Sequence, residues 1–183
     1  MRAIPGLVIT VLAGCASTWT PAQGQAPNDR QADAQHPSLF EQPWVWLDDR
    51  GERVTFGDWR GTPFIVAAVY TTCQETCPRT LAKMRGVYDQ YVRENRPAAF
   101  IVVTIDPDTD TPERLRDLRK LRNLPNAWHL VTGGTAETQA LADLLGVHIM
   151  RMDTGVDDGH MVHDSKIVLF DRQGRSVSEL DVL

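Results

Sequence analysis

A chain of 183 residues, 42% of them hydrophobic, has room for one domain with a full core. Its net charge of −5, with no basic run, argues against nucleic acid or an anionic membrane surface as the main partner.

Residues 1–14 read as a lipoprotein signal peptide. Arg2 supplies a short positive region, Ile4 to Leu12 is an apolar stretch too short to span a bilayer, and small residues follow. The ending Leu12-Ala13-Gly14-Cys15 resembles a bacterial lipobox, in which Cys15 is lipidated and becomes the mature N-terminus. The alternative is an ordinary cleaved signal with an incidental cysteine. Either reading puts the domain outside the cytoplasm, where disulfides persist; the first anchors it by lipid to the extracytoplasmic face of the bacterial cell envelope. Residues 15–37 are rich in Gln, Ala, Pro and Asp without apolar periodicity, the composition of a flexible tether to the membrane. The domain is expected over 38–183.

It opens with Trp44-Val45-Trp46-Leu47, a turn at Asp48-Asp49-Arg50-Gly51, and Arg53-Val54-Thr55, which together predict a β-hairpin. Phe64 to Tyr70 is a continuous apolar run and reads as a buried strand. Pro78 followed by Leu81, Met84, Val87, Tyr88 and Tyr91 predicts an amphipathic helix. Cys73 and Cys77 fall on the turn between the two. A helix N-terminus favours thiolate over thiol, so the pair is suited to act as ligand or nucleophile. On one helix face, residues four apart have Cα atoms about 6 Å apart, inside the window of roughly 4.4 to 6.8 Å for a disulfide. The same pair could close a redox-active disulfide or offer two sulfurs to one soft metal ion. With Cys15 committed to lipid, Cys73 and Cys77 have only each other.

Ala98 to Ile105 is a second apolar run. Strand, helix, strand with both strands apolar throughout implies a parallel pair buried on both faces, hence an α/β domain. In Asp106-Pro107-Asp108-Thr109-Asp110-Thr111-Pro112-Glu113, Thr111 reads as a helix N-cap with Pro112 at the first helical position, so most of this acidity is explained as helix initiation. Asp106 and Asp110 are nevertheless candidates to orient groups beside the cysteines, because both loops leave the same end of a parallel sheet. A helix over Leu115 to Leu121, a strand over Trp128 to Val131, a helix over Thr135 to Leu145 ended by Gly146, and an extended Val147 to Met152 follow. After a Gly/Asp-rich loop come His160-Met161-Val162-His163-Asp164, read as a loop leading into Ile167 to Phe170. That strand closes a hairpin through Asp171-Arg172-Gln173-Gly174. His160 and His163 could reach the cysteine turn, whereas His129 and His148, in strand-like segments, read as core or edge residues.

The ordered set of Leu47-Asp48-Asp49-Arg50-Gly51, Asp58-Trp59-Arg60-Gly61, Thr71-Thr72-Cys73 to Cys77-Pro78, Asp106-Pro107 to Asp110-Thr111-Pro112 and Leu130-Val131-Thr132-Gly133, with His163 eleven residues before Gly174, resembles the Sco/SenC family from Glu41 onward. That resemblance implies a thioredoxin-like fold: a central mixed sheet flanked by helices, with an N-terminal β-hairpin. It implies a copper metallochaperone rather than an enzyme, holding one copper ion, Cu(I) or Cu(II), through Cys73, Cys77 and His163. The implied recipient is the copper-site subunit of cytochrome c oxidase, with other periplasmic copper chaperones or thiol reductants as further partners. The alternative is a thiol-disulfide reductase in which Cys73, the more exposed thiol, attacks and Cys77 resolves. Asp106, Asp110 and Asp164 are the candidates to support these groups from behind. Against the family pattern, Gln74 and Thr76 replace a proline after the first cysteine and an aspartate before the second. Thr109 replaces an arginine, Val162 rather than Asp precedes His163, and an expected final helix does not follow the closing hairpin.

Overall fold

The computed structural model describes residues 37–151, 161–163 and 165–181, with 151, 161–163 and 181 given as backbone. The signal, the tether and Cys15 lie outside the described residues, as do His160 and Asp164.

The domain begins with the expected hairpin of β1 (Trp46–Asp48) and β2 (Arg53–Val54). Its turn is tightened by Gly51 at φ +85°, a conformation that costs other residues steric strain. β3 (Phe64–Val69) is buried at every position, as an unalternating apolar run requires when both faces of a sheet are covered. It leads through α1 (Thr76–Arg93) to β4 (Ala99–Thr104), which runs parallel to β3 from Phe64 opposite Ala99 to Val69 opposite Thr104. α2 (Pro112–Leu121) then leads to β5 (Trp128–Thr132), parallel to β4. Right-handed crossovers in the same direction place α1 and α2 on one face, and Arg85 of α1 donates to the Asn123 carbonyl just beyond α2 at 2.6 Å. Leu81, Met84 and Leu115 turn their apolar faces into the core beneath them.

α3 (Thr135–Leu144) ends where Gly146 takes φ +63°. β6 (Ile149–Arg151) and β7 (Met161–His163) form a separate antiparallel ribbon, with Ile149 opposite His163. β8 (Lys166–Phe170) returns antiparallel beside β3, and β9 (Ser176–Asp181) closes the far edge. Among the described residues the main sheet has the order β2-β1-β5-β4-β3-β8-β9. It is mixed, with three parallel strands at its centre.

Two expectations need correction. The helix starts at Thr76, not Pro78. Proline lacks only a backbone N–H, and the first turn has no intrahelical use for that group, so Pro78 fits at the third position as well as the first. Cys77 therefore lies inside the helix and Cys73 outside it, and the two do not share a helix face. His163 lies on a strand rather than in a loop, because pairing with β6 satisfies backbone groups that a loop would leave to solvent.

The chain joins the domain far from the cysteines. Leu39 donates its N–H to the Gly174 carbonyl at 2.9 Å and the Ser38 hydroxyl to the Gln173 carbonyl at 2.5 Å. That turn adjoins Phe170, which pairs with Phe64 at the start of β3, whereas Cys73 follows the end of β3. Six strand residues, about 20 Å, separate the two ends.

Candidate metal and redox site

The site is built where β3 and β4 run out. After Val69 the chain turns, with the Cys73 N–H donating to the Tyr70 carbonyl at 3.3 Å, and α1 begins three residues later. No side chain caps this helix in the usual way: Glu75 at the N-cap makes no side-chain capping bond. The Cys73 sulfur serves instead. It accepts the Cys77 N–H at 3.2 Å and lies 3.3 Å from the Thr76 hydroxyl. A first-turn N–H that would otherwise lack a partner is thereby directed at sulfur, and the partial positive charge of the helix end with it.

This arrangement separates the two thiols in acidity. Burial alone would raise the Cys73 thiol, but the Cys77 side chain, the Thr76 hydroxyl and the N–H groups of Cys77 and Glu75 together outweigh it and bring Cys73 below the usual cysteine value. Cys77 is pushed well above that value, first by burial and then by the neighbouring Cys73 sulfur. Neither is part of a disulfide. Cys73 is the more accessible of the two, as expected, but at 6% and 3% both are buried, because the turn folds Cys73 back against the helix N-terminus. The larger asymmetry is one of acidity.

Asp110 joins the second loop to the first. It is wholly buried and accepts the Thr71 N–H at 2.9 Å, the Thr71 hydroxyl, and the Thr104 hydroxyl at 2.5 Å. Among the described residues no cation pairs with it. Asp106 is also buried, and its N–H donates to the Thr104 hydroxyl oxygen at 3.0 Å. The predicted helix start is present too, with Thr111 capping the Arg114 N–H at 3.4 Å and Pro112 opening α2. Helix initiation thus accounts for Thr111 and Pro112, but Asp110 belongs to the cysteine turn.

The sequence-predicted residues are therefore brought together in part. Cys73 and Cys77 are in contact, and Asp110 reaches them through Thr71. The structure gives the backbone of His163 on β7, while its ring lies outside the described residues, and so does Asp164. Among the described residues no group of three His, Cys, Asp or Glu is arranged to hold a metal ion. His129 packs its ring 5.1 Å from Trp59, and burial, with Arg50 nearby, lowers its pKa, the character of the core residue expected. Sequence reasoning marked Thr76 only as a departure from the family pattern and gave Thr71 and Thr104 no role. Their signal was positional: a hydroxyl beyond β3, one between the cysteines and one at the end of β4.

The SCO1/SenC family model matches residues 32–183. The chain belongs to that family. A SCO2-like protein of Rickettsia prowazekii is 26% identical over 135 residues, covering 73% of this chain and 65% of the relative, so the matched part is less than two-thirds of that relative's length. Bradyrhizobium japonicum ScoI, solved with copper bound, is 26% identical with a TM-score of 0.68 over 77% of this chain and 88% of its own. BsSco, described with a disulfide switch and as a member of the Sco family of cytochrome c oxidase assembly proteins, has a TM-score of 0.65 at 21% identity, covering 80% of this chain and 84% of its own. The thioredoxin-like fold of these Sco proteins is the one found here: a mixed sheet flanked by helices with the hairpin at its start.

Proposed function

We propose that this Sco/SenC protein is a membrane-tethered copper chaperone that takes one copper ion on Cys73, Cys77 and His163 and hands it to the binuclear copper site of cytochrome c oxidase. The observation that carries this reading is the meeting of two sulfurs of unequal acidity at a helix N-terminus. The copper-bound ScoI relative supports the choice of metal. Soft thiolates select Cu(I), and an added imidazole suits either oxidation state. Cys73, biased toward thiolate, is the first ligand. Cys77 gives up its proton only as the metal arrives, so binding releases protons and weakens as the solution is acidified. His163 enters on the β6–β7 ribbon, and an incomplete shell of three ligands leaves room for a recipient to add its own in exchange. Lipid on Cys15 and the tether of residues 15–37 keep the domain at the extracytoplasmic face of the envelope.

Anaerobic Cu(I) titration of the reduced protein against a chromophoric chelator tests the ligand set. Cys73→Ser and Cys77→Ser are each expected to abolish competition with the chelator, and His163→Ala to weaken it and alter the copper spectrum. Binding that survives all three changes would remove the reading.

The unequal thiols also favour a second reading, a thiol-disulfide reductase. Cys73 thiolate attacks a partner disulfide and forms a mixed disulfide. The Cys77 sulfur, losing its proton, then displaces the partner thiol, so the partner gains two electrons and the pair becomes a disulfide that a periplasmic thiol reductant resets. The disulfide switch described for BsSco is consistent with such chemistry. Turnover on a mixed-disulfide substrate by the metal-free protein separates this reading from chaperoning alone.

A further inference from the structure

We propose that Asp110 is the positioning residue of the thiol pair: it touches neither sulfur, yet it fixes the turn that delivers Cys73 to the helix N-terminus. This rests on Cys73 and Cys77 being the working thiols. Asp110 grips Thr71 twice, at N–H and hydroxyl, and Thr71 is an inner residue of the turn closed by the Cys73 N–H on the Tyr70 carbonyl.

The grip is itself rigidly mounted. On one side Asp110 receives the hydroxyl of Thr104, the last residue of a central strand. On the other, its N–H is fixed to the Asp106 carbonyl at 2.8 Å, and α2 begins two residues later behind the Thr111 cap. The Ile105 N–H to Val69 carbonyl bond, at 2.8 Å, holds the two strand ends in register. Beyond it, Asp110 ties Thr71 of the cysteine loop to Thr104 at the end of β4. Without that tie the turn is expected to open locally, and the Cys77 N–H then loses its aligned sulfur acceptor.

Asparagine can take over the arrangement, since its oxygen accepts the Thr71 N–H and the Thr104 hydroxyl while its amide donates to the Thr71 oxygen. Alanine cannot. The test is amide hydrogen exchange of the reduced, metal-free protein, read residue by residue by NMR, for wild type, Asp110→Ala and Asp110→Asn. In Asp110→Ala the amides of Cys73 and Cys77 are expected to exchange about tenfold faster or more, while those of Asp49 and Trp128 at the other end of the sheet stay as in wild type. Asp110→Asn is expected to restore slow exchange. Unchanged exchange at the cysteines, or an equal rise throughout the protein, would overturn the proposal. If Asp110→Ala does not fold, Thr104→Val takes its place: the same local acceleration supports the proposal and its absence overturns it. Cu(I) competition on the same variants is a separate reading. Local acceleration in Asp110→Ala, together with a wild type that binds no Cu(I), would leave the positioning role intact and remove the chaperone assignment instead.

Discussion

Two buried aspartates sit at opposite ends of this sheet, joined by a single helix, and they are held in opposite ways. Asp49, in the turn of the first hairpin, is clamped by Arg119 near the end of α2 through Nε at 2.6 Å and Nη2 at 2.9 Å. The same guanidinium donates to the carbonyls of Pro125 and Trp128, and Arg116 donates to the Asp49 carbonyl at 3.0 Å. Asp110, just before α2, is held by one amide and two hydroxyls, with no cation among the described residues. At the first end a fixed charge is cancelled by a fixed charge, which serves rigidity. At the second the carboxylate meets only neutral donors among the described residues, so its charge is not cancelled in place.

The largest effect should come from breaking the clamp. The Asp49 and Arg119 side chains are 6% and 13% accessible, so Arg119→Ala leaves a buried carboxylate and two carbonyls without their donor. A loss of about 3–5 kcal/mol is expected in urea unfolding, as for other buried pairs that lose one partner. A loss below about 1 kcal/mol would mean the pair behaves as an exposed one, and the contrast between the ends would collapse.

The sequence revealed one end of this comparison in outline and the other hardly at all. Unbroken apolar runs made β3 and β4 legible, because only a strand covered on both faces needs no polar alternation. Thr111 and Pro112 made the start of α2 legible for the same local reason. That legibility hid Asp110: helix initiation was a sufficient explanation, and its actual partner Thr71 lies 39 residues away. Asp49 likewise read as a turn residue, its cation lying 70 residues further on. The cysteine pair was found from its setting, but not the boundary inside it, since proline fits more than one first-turn position. The segment of β6 was read as extended, but β7 and its pairing with β6 were missed because a three-residue strand carries too little pattern to announce itself.

A smaller effect should appear in the pH dependence of stability. Burial raises the Asp110 carboxyl above the usual aspartate range, the Thr104 and Thr71 hydrogen bonds offset part of that, and the nearby Asp106 charge adds to the rise. A carboxyl raised in the folded state contributes stability that is full below its unfolded pKa, about 3.9, and is lost as pH rises through the folded value. Asp110→Asn removes that titration. Its stability relative to wild type is therefore expected to improve as pH is raised from about 4 toward neutrality, measured by urea unfolding at each pH. A constant difference would show that Asp110 titrates alike in both states, and that its neutral setting has no energetic consequence.

The smallest effect concerns Thr76, whose hydroxyl is one of the groups lowering Cys73. Its side chain is exposed, and valine has a helix propensity close to that of threonine, so Thr76→Val should change stability by no more than about 0.5 kcal/mol. Two backbone N–H groups and the Cys77 side chain still favour the Cys73 thiolate, so the shift should be partial. Titration of the thiolate absorbance in the reduced, metal-free protein is expected to show the lower of the two midpoints moving up toward the ordinary cysteine value, with the upper one little changed. The direction is diagnostic because either atom of the sulfur–hydroxyl contact can be the donor. If Thr76 gives its proton to sulfur, losing it makes Cys73 less acidic. If the Cys73 thiol is the donor, losing the hydroxyl removes a partner of the protonated form and the midpoint moves down. A downward shift would mean that the Cys73 thiolate is favoured by the helix N-terminus and the Cys77 side chain, with the residue between the cysteines opposing them.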